Sequence, residues 1–390
     1  MLRPIALLLS ISSLCACTTS PIMPNQYDLL IGSYTQGASQ GIYRYHYDNQ
    51  TGQISEQPEQ VITAANPSFL LLSADQSTLF SVNENGPGQA ANIGQASSFS
   101  IDSNDHSISP INRVDSGGDE PTHAGLSPDG RFLFVANYAV NPKPGGSLSV
   151  LPVSSDGELQ APSQRFSHPP SHVNKERQAS SHVHSVVMSH DQQYLFASDL
   201  GADHVFSYRY NPQAGSKTPL TPAGSTALPP GSGPRHLLFS NDGKQAYLTL
   251  ELSNQLAVFN YEQGKLLNQH IIDLDQPNTE PARYAAGALH TSADGRFLYV
   301  ATRGPVSQIL VFKTNPTDTQ LELIQRHRIE GKELREFSLD PSGNHLLVAN
   351  QRSDEVLVIA RDALSGKLGK VQQRVSVGNP SDLLFIGPDR

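Results

Sequence analysis

Seven near-copies of one short turn decide what this chain can fold into. The pattern Ser-x-Asp-Gly, or a close variant, recurs at Asp75 (SADQ), Asp129 (SPDG), Asp191 (SHDQ), Asp242 (SNDG), Asp294 (SADG), Ser342 (DPSG) and Asp389 (GPDR). The spacing is roughly 50 residues, a period that belongs to propellers and solenoids. Apolar runs with strand character flank each turn: Leu237, Leu238 and Phe239 lead into Asp242, and residues 246–250 leave it. A third strand follows, as at 255–260, 308–313 and 355–360, and then a fourth, more polar one. The seventh turn falls at the very end of the chain, so its second strand must come from elsewhere. Residues 27–34 (YDLLIGSY) have the character of that missing strand and 41–46 that of the next. Joining head and tail in one blade closes the ring and removes exposed sheet edges. The expected fold is therefore all-β: a seven-bladed β-propeller of four-stranded antiparallel blades over residues 27–390, closed by the N- and C-terminal strands in one blade.

The chain before this array has a different character. Met1, Leu2 and Arg3 precede an apolar run from Ile5 to Leu14, too short to span a bilayer but fitting a signal peptide over 1–16. It ends in Leu14-Cys15-Ala16-Cys17, which resembles a bacterial lipobox and makes Cys17 the expected lipidation site, with 17–26 as a polar tether. The expectation is an exported periplasmic lipoprotein, touching a membrane only through this anchor. Thr18 after the cysteine favours the outer membrane. Both cysteines lie in this segment, so the array itself offers no thiolate nucleophile, thiolate ligand or disulfide. A net charge of -9 without a basic stripe excludes nucleic acid as a partner.

Polar residues fall at one level of the repeat. Seven positions before each turn aspartate stand Ser68, Thr122, His184, Arg235, Gly287, Arg335 and Asp382; nine after stand Glu84, Tyr138, Leu200, Glu251, Arg303 and Gln351, with Asp199 one residue earlier. In a closed ring this level is a single mouth. The geometry makes Arg235 and Glu251 cross-strand neighbours, with His184 and Arg303 converging from the adjacent blades. Strand alternation turns His236 to the opposite face from Arg235. The insertions at 86–95, 141–146 and 167–180 are expected as loops on one rim.

The blocks at this level, in order, are Ile31-Gly32-Ser33-Tyr34-Thr35, Val82-Asn83-Glu84, Ala136-Asn137-Tyr138, His182-Val183-His184, Asp199-Leu200-Gly201-Ala202-Asp203, Gly233-Pro234-Arg235-His236, Glu251-Leu252 and Thr302-Arg303. Together they resemble the seven-bladed lactonase family, which includes propeller-type 6-phosphogluconolactonases and fungal carboxymuconate lactonizing enzymes. The resemblance implies a metal-free enzyme with a histidine, a glutamate and arginines as catalytic groups, which fall on His184 or His182, Glu251, Arg235 and Arg303. Glu84, His182, Tyr138, Asp199 and Arg335 are the expected substrate contacts. Two features depart from it: Leu334-Arg335 stands where the family tends to have Pro-Arg, and the leader indicates export, whereas a pentose-phosphate enzyme is cytoplasmic.

These residue types suit lactone hydrolysis without a cofactor. A histidine or Glu251 can activate water, and arginine forks suit an oxyanion or an anionic lactone. A metal-dependent lactonase using Glu84, Asn83, Asn137, Asp199 and Asn350 is a weaker alternative, because the arginines at the same level would repel a cation. A non-catalytic binding propeller is another. The chain has no Gly-x-Ser-x-Gly elbow for a serine hydrolase.

Overall fold

A strand packed between two neighbouring sheets must be buried on both faces, whereas an outermost strand is largely open to solvent. The four strands of each repeat obey that rule in order. The computed structural model describes residues 25–89, 92–141, 143–215, 218–276, 285–315 and 318–387. The leader, Cys17 and most of the tether lie outside the described residues, as does Asp389.

Seven antiparallel sheets form the ring. The first strands of blades 1 to 7 are Pro67–Leu72, Pro121–Leu126, Val183–Met188, Pro234–Phe239, Ala285–Thr291, Leu334–Leu339 and Pro380–Ile386. They neighbour one another around the central channel. Second strands such as Phe132–Asn137 and His345–Asn350 are buried throughout, while the fourth strand Leu220–Ala227 is exposed at most positions.

Blade 7 is made from both ends of the chain. Gln26–Ser33 pairs with Pro380–Ile386, Leu30 opposite Leu384 and Ile31 opposite Leu383, and then with Gly41–Asp48. Its outer strand is split into Gln53–Ile54 and Gln60–Thr63. Each junction between adjacent blades holds its own apolar cluster. At the closing junction Leu30 and Ile42 of blade 7 meet Leu70, Leu79 and Phe99 of blade 1, all buried. Each such side chain contributes about 1.5–3 kcal/mol through burial, so the seam is held by the same force as the other six junctions.

The repeated turns form one rim. In blades 1 to 5 the serine hydroxyl donates to the aspartate two residues on and accepts the backbone N–H five residues on, as in Ser127 to Asp129 (2.7 Å) and Phe132 N–H to Ser127 (3.0 Å). Blade 6 reverses the two residues and keeps the contact: Ser342 donates to Asp340 at 2.6 Å, and Asp340 accepts the His345 N–H. The fourth turn position lies in the left-handed region at Gln76, Gly130, Gln192, Gly243, Gly295 and Gly343, which accounts for the glycine there. The same aspartates fasten neighbouring blades, through Tyr210 to Asp129 (2.7 Å), Tyr261 to Asp191 (2.8 Å) and Tyr47 to Asp340 (3.1 Å).

Candidate active site

At the opposite rim the repeat does something that simple alternation does not anticipate. Near this end the register between first and second strands slips by one in every blade. Such a β-bulge re-aims a side chain. The slip falls at Ser68, Thr122, His184, Arg235 with His236, Gly287 with Ala288, Arg335 and Ser381. Asp382 therefore stands one step deeper than the sequence count placed it, because Pro380 and Asp389 are nine positions apart, whereas Pro67 and Asp75 are eight.

The bulges bring His184, Arg235, Glu251 and Arg303 together. Glu251, at the end of the second strand of blade 4, is their hub and is almost fully buried. Its Oε2 lies 3.1 Å from Arg235 Nε, accepts Arg303 Nη2 at 3.1 Å, and is 3.9 Å from His184 Nε2. Gly287, between the two arginine-bearing strands, has no side chain to intrude, and a Cβ there would meet Arg303 Nε at 3.6 Å.

A third guanidinium completes the hub, and sequence reasoning missed it. Arg177 comes from the loop between blades 2 and 3 and donates through Nη2 to Glu251 Oε1 (2.8 Å) and to the Tyr138 hydroxyl (2.9 Å). The loop is held in place by Gln178, fully buried, whose amide donates to Asp203 (2.7 Å) and Leu200 O (2.9 Å). Asn174 Oδ1 accepts the Arg177 N–H. Being outside the repeat, Arg177 has no periodic address; its only sequence signal is a charge in an insertion on the rim.

Across the mouth a second carboxylate gathers its own partners. Glu84 Oε2 accepts the Ser68 hydroxyl (2.6 Å) and the Tyr34 hydroxyl (2.8 Å), and lies 3.7 Å from Arg335 Nη2, which itself donates to Tyr34 at 2.6 Å. Arg303 links the halves by donating to Glu333 at 3.3 Å.

The other expected contacts are placed differently. His182 lies behind Tyr138, its ring stacked at 4.6 Å and its Nδ1 2.8 Å from Tyr138 O. Asp199 occupies the position held by Asn83, Asn137 and Asn350 in other blades. These are buried fasteners: Asn137 accepts from Ser116 (2.7 Å) and Asn350 donates to Glu330 O (2.7 Å). Asp199 likewise bonds His168 (2.7 Å), Ser181 (2.5 Å) and three backbone N–H groups. His236 does not face away from the channel: the bulge spans Arg235 and His236, and its ring meets those of His184 (5.2 Å) and His123 (5.5 Å) edge-on. Among the described residues no group of three or more His, Cys, Asp or Glu is arranged to hold a metal.

Electrostatics follow from this crowding. Burial alone would raise the Glu251 carboxyl, but Arg303, Arg235, His184 and Arg177 reverse that and hold it well below the usual carboxylate range. Burial, then the Arg235 charge, pushes His184 well below its ordinary value, so the ring is neutral. Burial, then Arg303 and Arg335, lowers Arg235 to about 9, still cationic at neutral pH. Several buried nitrogens lack hydrogen-bond partners: the donors Arg235 Nη1 and Arg303 Nε, and His184 Nδ1, among them. Unpartnered buried donors are costly, and their clustering around one cavity suits a polar ligand.

The whole array has recognisable relatives. A family model described as Lactonase, 7-bladed beta-propeller, matches residues 28–385. A 6-phosphogluconolactonase of Formosa agariphila is 34% identical over 91% of this chain and 98% of its own. One of Bacillus subtilis is 30% identical over 91% and 97%. The solved structure of a periplasmic gluconolactonase from Pseudomonas aeruginosa is 48% identical and aligns with a TM-score of 0.89, over 93% of this chain and 99% of that one.

Proposed function

The chain belongs to the seven-bladed β-propeller lactonase family, and on that premise we propose that its mouth hydrolyses a sugar-acid lactone. The observation that carries this reading is the set of buried, unpartnered nitrogens on Arg235, Arg303 and His184, all gathered around Glu251. His184, neutral and with Nδ1 open, takes a proton from water as the water oxygen attacks the lactone carbonyl carbon. The carbonyl π electrons move to oxygen, and Arg235 and Arg303 hold the resulting oxyanion. Collapse re-forms the carbonyl and breaks the ring C–O bond. The departing alkoxide takes the proton from His184, leaving a hydroxy acid that ionises. Glu251 keeps the guanidinium groups in place; with three arginines on its carboxylate it is a poor base.

The substrate is a gluconolactone, with or without a 6-phosphate. Relatives named 6-phosphogluconolactonase support the phosphorylated form, and the periplasmic gluconolactonase, at 48% identity, supports the free one. The apolar leader and Cys17 support export with a lipid anchor. Strand Gln26–Ser33 begins at the turn rim, so the chain enters the propeller at the end opposite the mouth.

A pH-stat assay of the purified protein on both lactones, corrected for spontaneous hydrolysis, tests the reading. Hydrolysis of at least one at a rate proportional to enzyme concentration is expected; none on either would overturn it.

A further inference from the structure

The two carboxylate clusters of the mouth are built unequally. Around Glu251 stand three guanidinium groups, from Arg177, Arg235 and Arg303. Around Glu84 stands one, Arg335, with the two hydroxyls of Tyr34 and Ser68. The first half carries surplus positive charge; the second balances to zero before its neighbours are counted. Those neighbours are acidic. Glu333 faces Arg303, and Glu120 lies beside the Glu84 segment, its N–H donating to Asn85 O at 2.8 Å. Burial would lower Arg335, but Tyr34, Glu84, Glu251 and Glu333 hold it above its ordinary value. Both halves stand at the bulged end of the ring of first strands, around one channel.

From this asymmetry we infer that Glu84, with Arg335, Tyr34 and Ser68, is the specificity-determining half of the site, reading an uncharged polyhydroxy tail and rejecting a phosphorylated one. The inference rests on the lactonase reading and deepens it. Tyr34 and Ser68 both donate to Oε2, which leaves Oε1 without a partner among the described residues and free to accept from a sugar hydroxyl. Arg335 has further guanidinium N–H groups for a hydroxyl oxygen. A phosphate dianion brought to the same place would gain Arg335 but meet Glu84, Glu120 and Glu333. Discrimination of this kind comes from a repulsive element as much as an attractive one.

The test compares kcat/KM on gluconolactone and 6-phosphogluconolactone for the full chain and for Glu84→Gln, with Tyr34→Phe as a second variant and thermal unfolding as the check on folding. The wild type should prefer the unphosphorylated lactone by tenfold or more, on the order expected when a polar contact is replaced by a repulsive one. Glu84→Gln should lower kcat/KM on gluconolactone about tenfold and narrow or invert the preference. Tyr34→Phe, which loosens the Glu84 carboxylate, should raise KM for gluconolactone with little change in kcat. Wild-type preference for the phosphorylated lactone, or an unchanged ratio in a folded Glu84→Gln protein, would overturn the assignment and leave the lactonase reading standing. No hydrolysis of either lactone would remove both.

Discussion

The two rims of this ring are made from the same repeat and differ in how they use it. At the turn rim, one position holds the same residue type in blade after blade, and its chemistry is closed locally: serine to aspartate, aspartate to backbone or to the next blade's tyrosine. In the cleft of about 780 Å³ there, between blades 4, 5 and 6, Arg296 likewise closes on Asp294 at 2.7 Å. At the mouth, the bulge position carries seven residues of five kinds, and buried donors are left unpartnered. Repetition therefore builds the scaffold, and departure from repetition builds the chemistry.

If that division is right, substitutions at the two rims should separate activity from stability. The largest effect is expected for Glu251→Gln, which removes the charge that holds three arginines. Measured kcat/KM should fall about 10³-fold, comparable to losing an oxyanion-stabilising group, while the protein stays folded. Leu30→Ala, in the seam between the chain ends, should do the reverse: a loss of about 2–5 kcal/mol in denaturant unfolding, with kcat of the folded fraction unchanged. An unfolding transition unaffected by Leu30→Ala would contradict closure through blade 7.

The third expectation concerns pH. His184 acts unprotonated and its folded value is depressed, so kcat/KM should stay level as pH falls through 6.5 and decline only in more acidic solution; half-loss near 6.5 would place the base elsewhere. Stability follows with its own sign. Below pH 6.5 the unfolded histidine binds a proton that the folded one does not, so unfolding becomes easier as pH drops, and His184→Gln should flatten that trend. Arg177→Gln, removing a half-exposed cation, should lower kcat/KM only about tenfold, seen in steady-state kinetics. The smallest effect is expected at the turn rim: Ser240→Ala, which breaks contacts to Asp242 (2.8 Å) and the Gln245 N–H (2.9 Å), should cost about 1 kcal/mol without altering kcat.

The same division explains what could be read from the chain alone. Blade number, ring closure and the meeting of His184, Arg235, Glu251 and Arg303 all follow from counting along a period. Arg177 escaped because it lies in an insertion that the period does not index. His236 was assigned to the wrong face because alternation assumes an unbroken strand, and a bulge breaks it. Asp382 was misplaced by one position because the last repeat holds one extra residue before its turn. Asp199 looked like a site residue by type and level, but it stands where other blades carry a fastening asparagine.

The most direct test of the account is a crystal structure of the protein with gluconate, the product of gluconolactone hydrolysis. The carboxylate should lie within hydrogen-bond reach of Arg235 and Arg303, with the hydroxyl tail extending to Glu84. Gluconate bound in the turn-rim cleft, or lying in the mouth with its carboxylate away from both arginines, would contradict it.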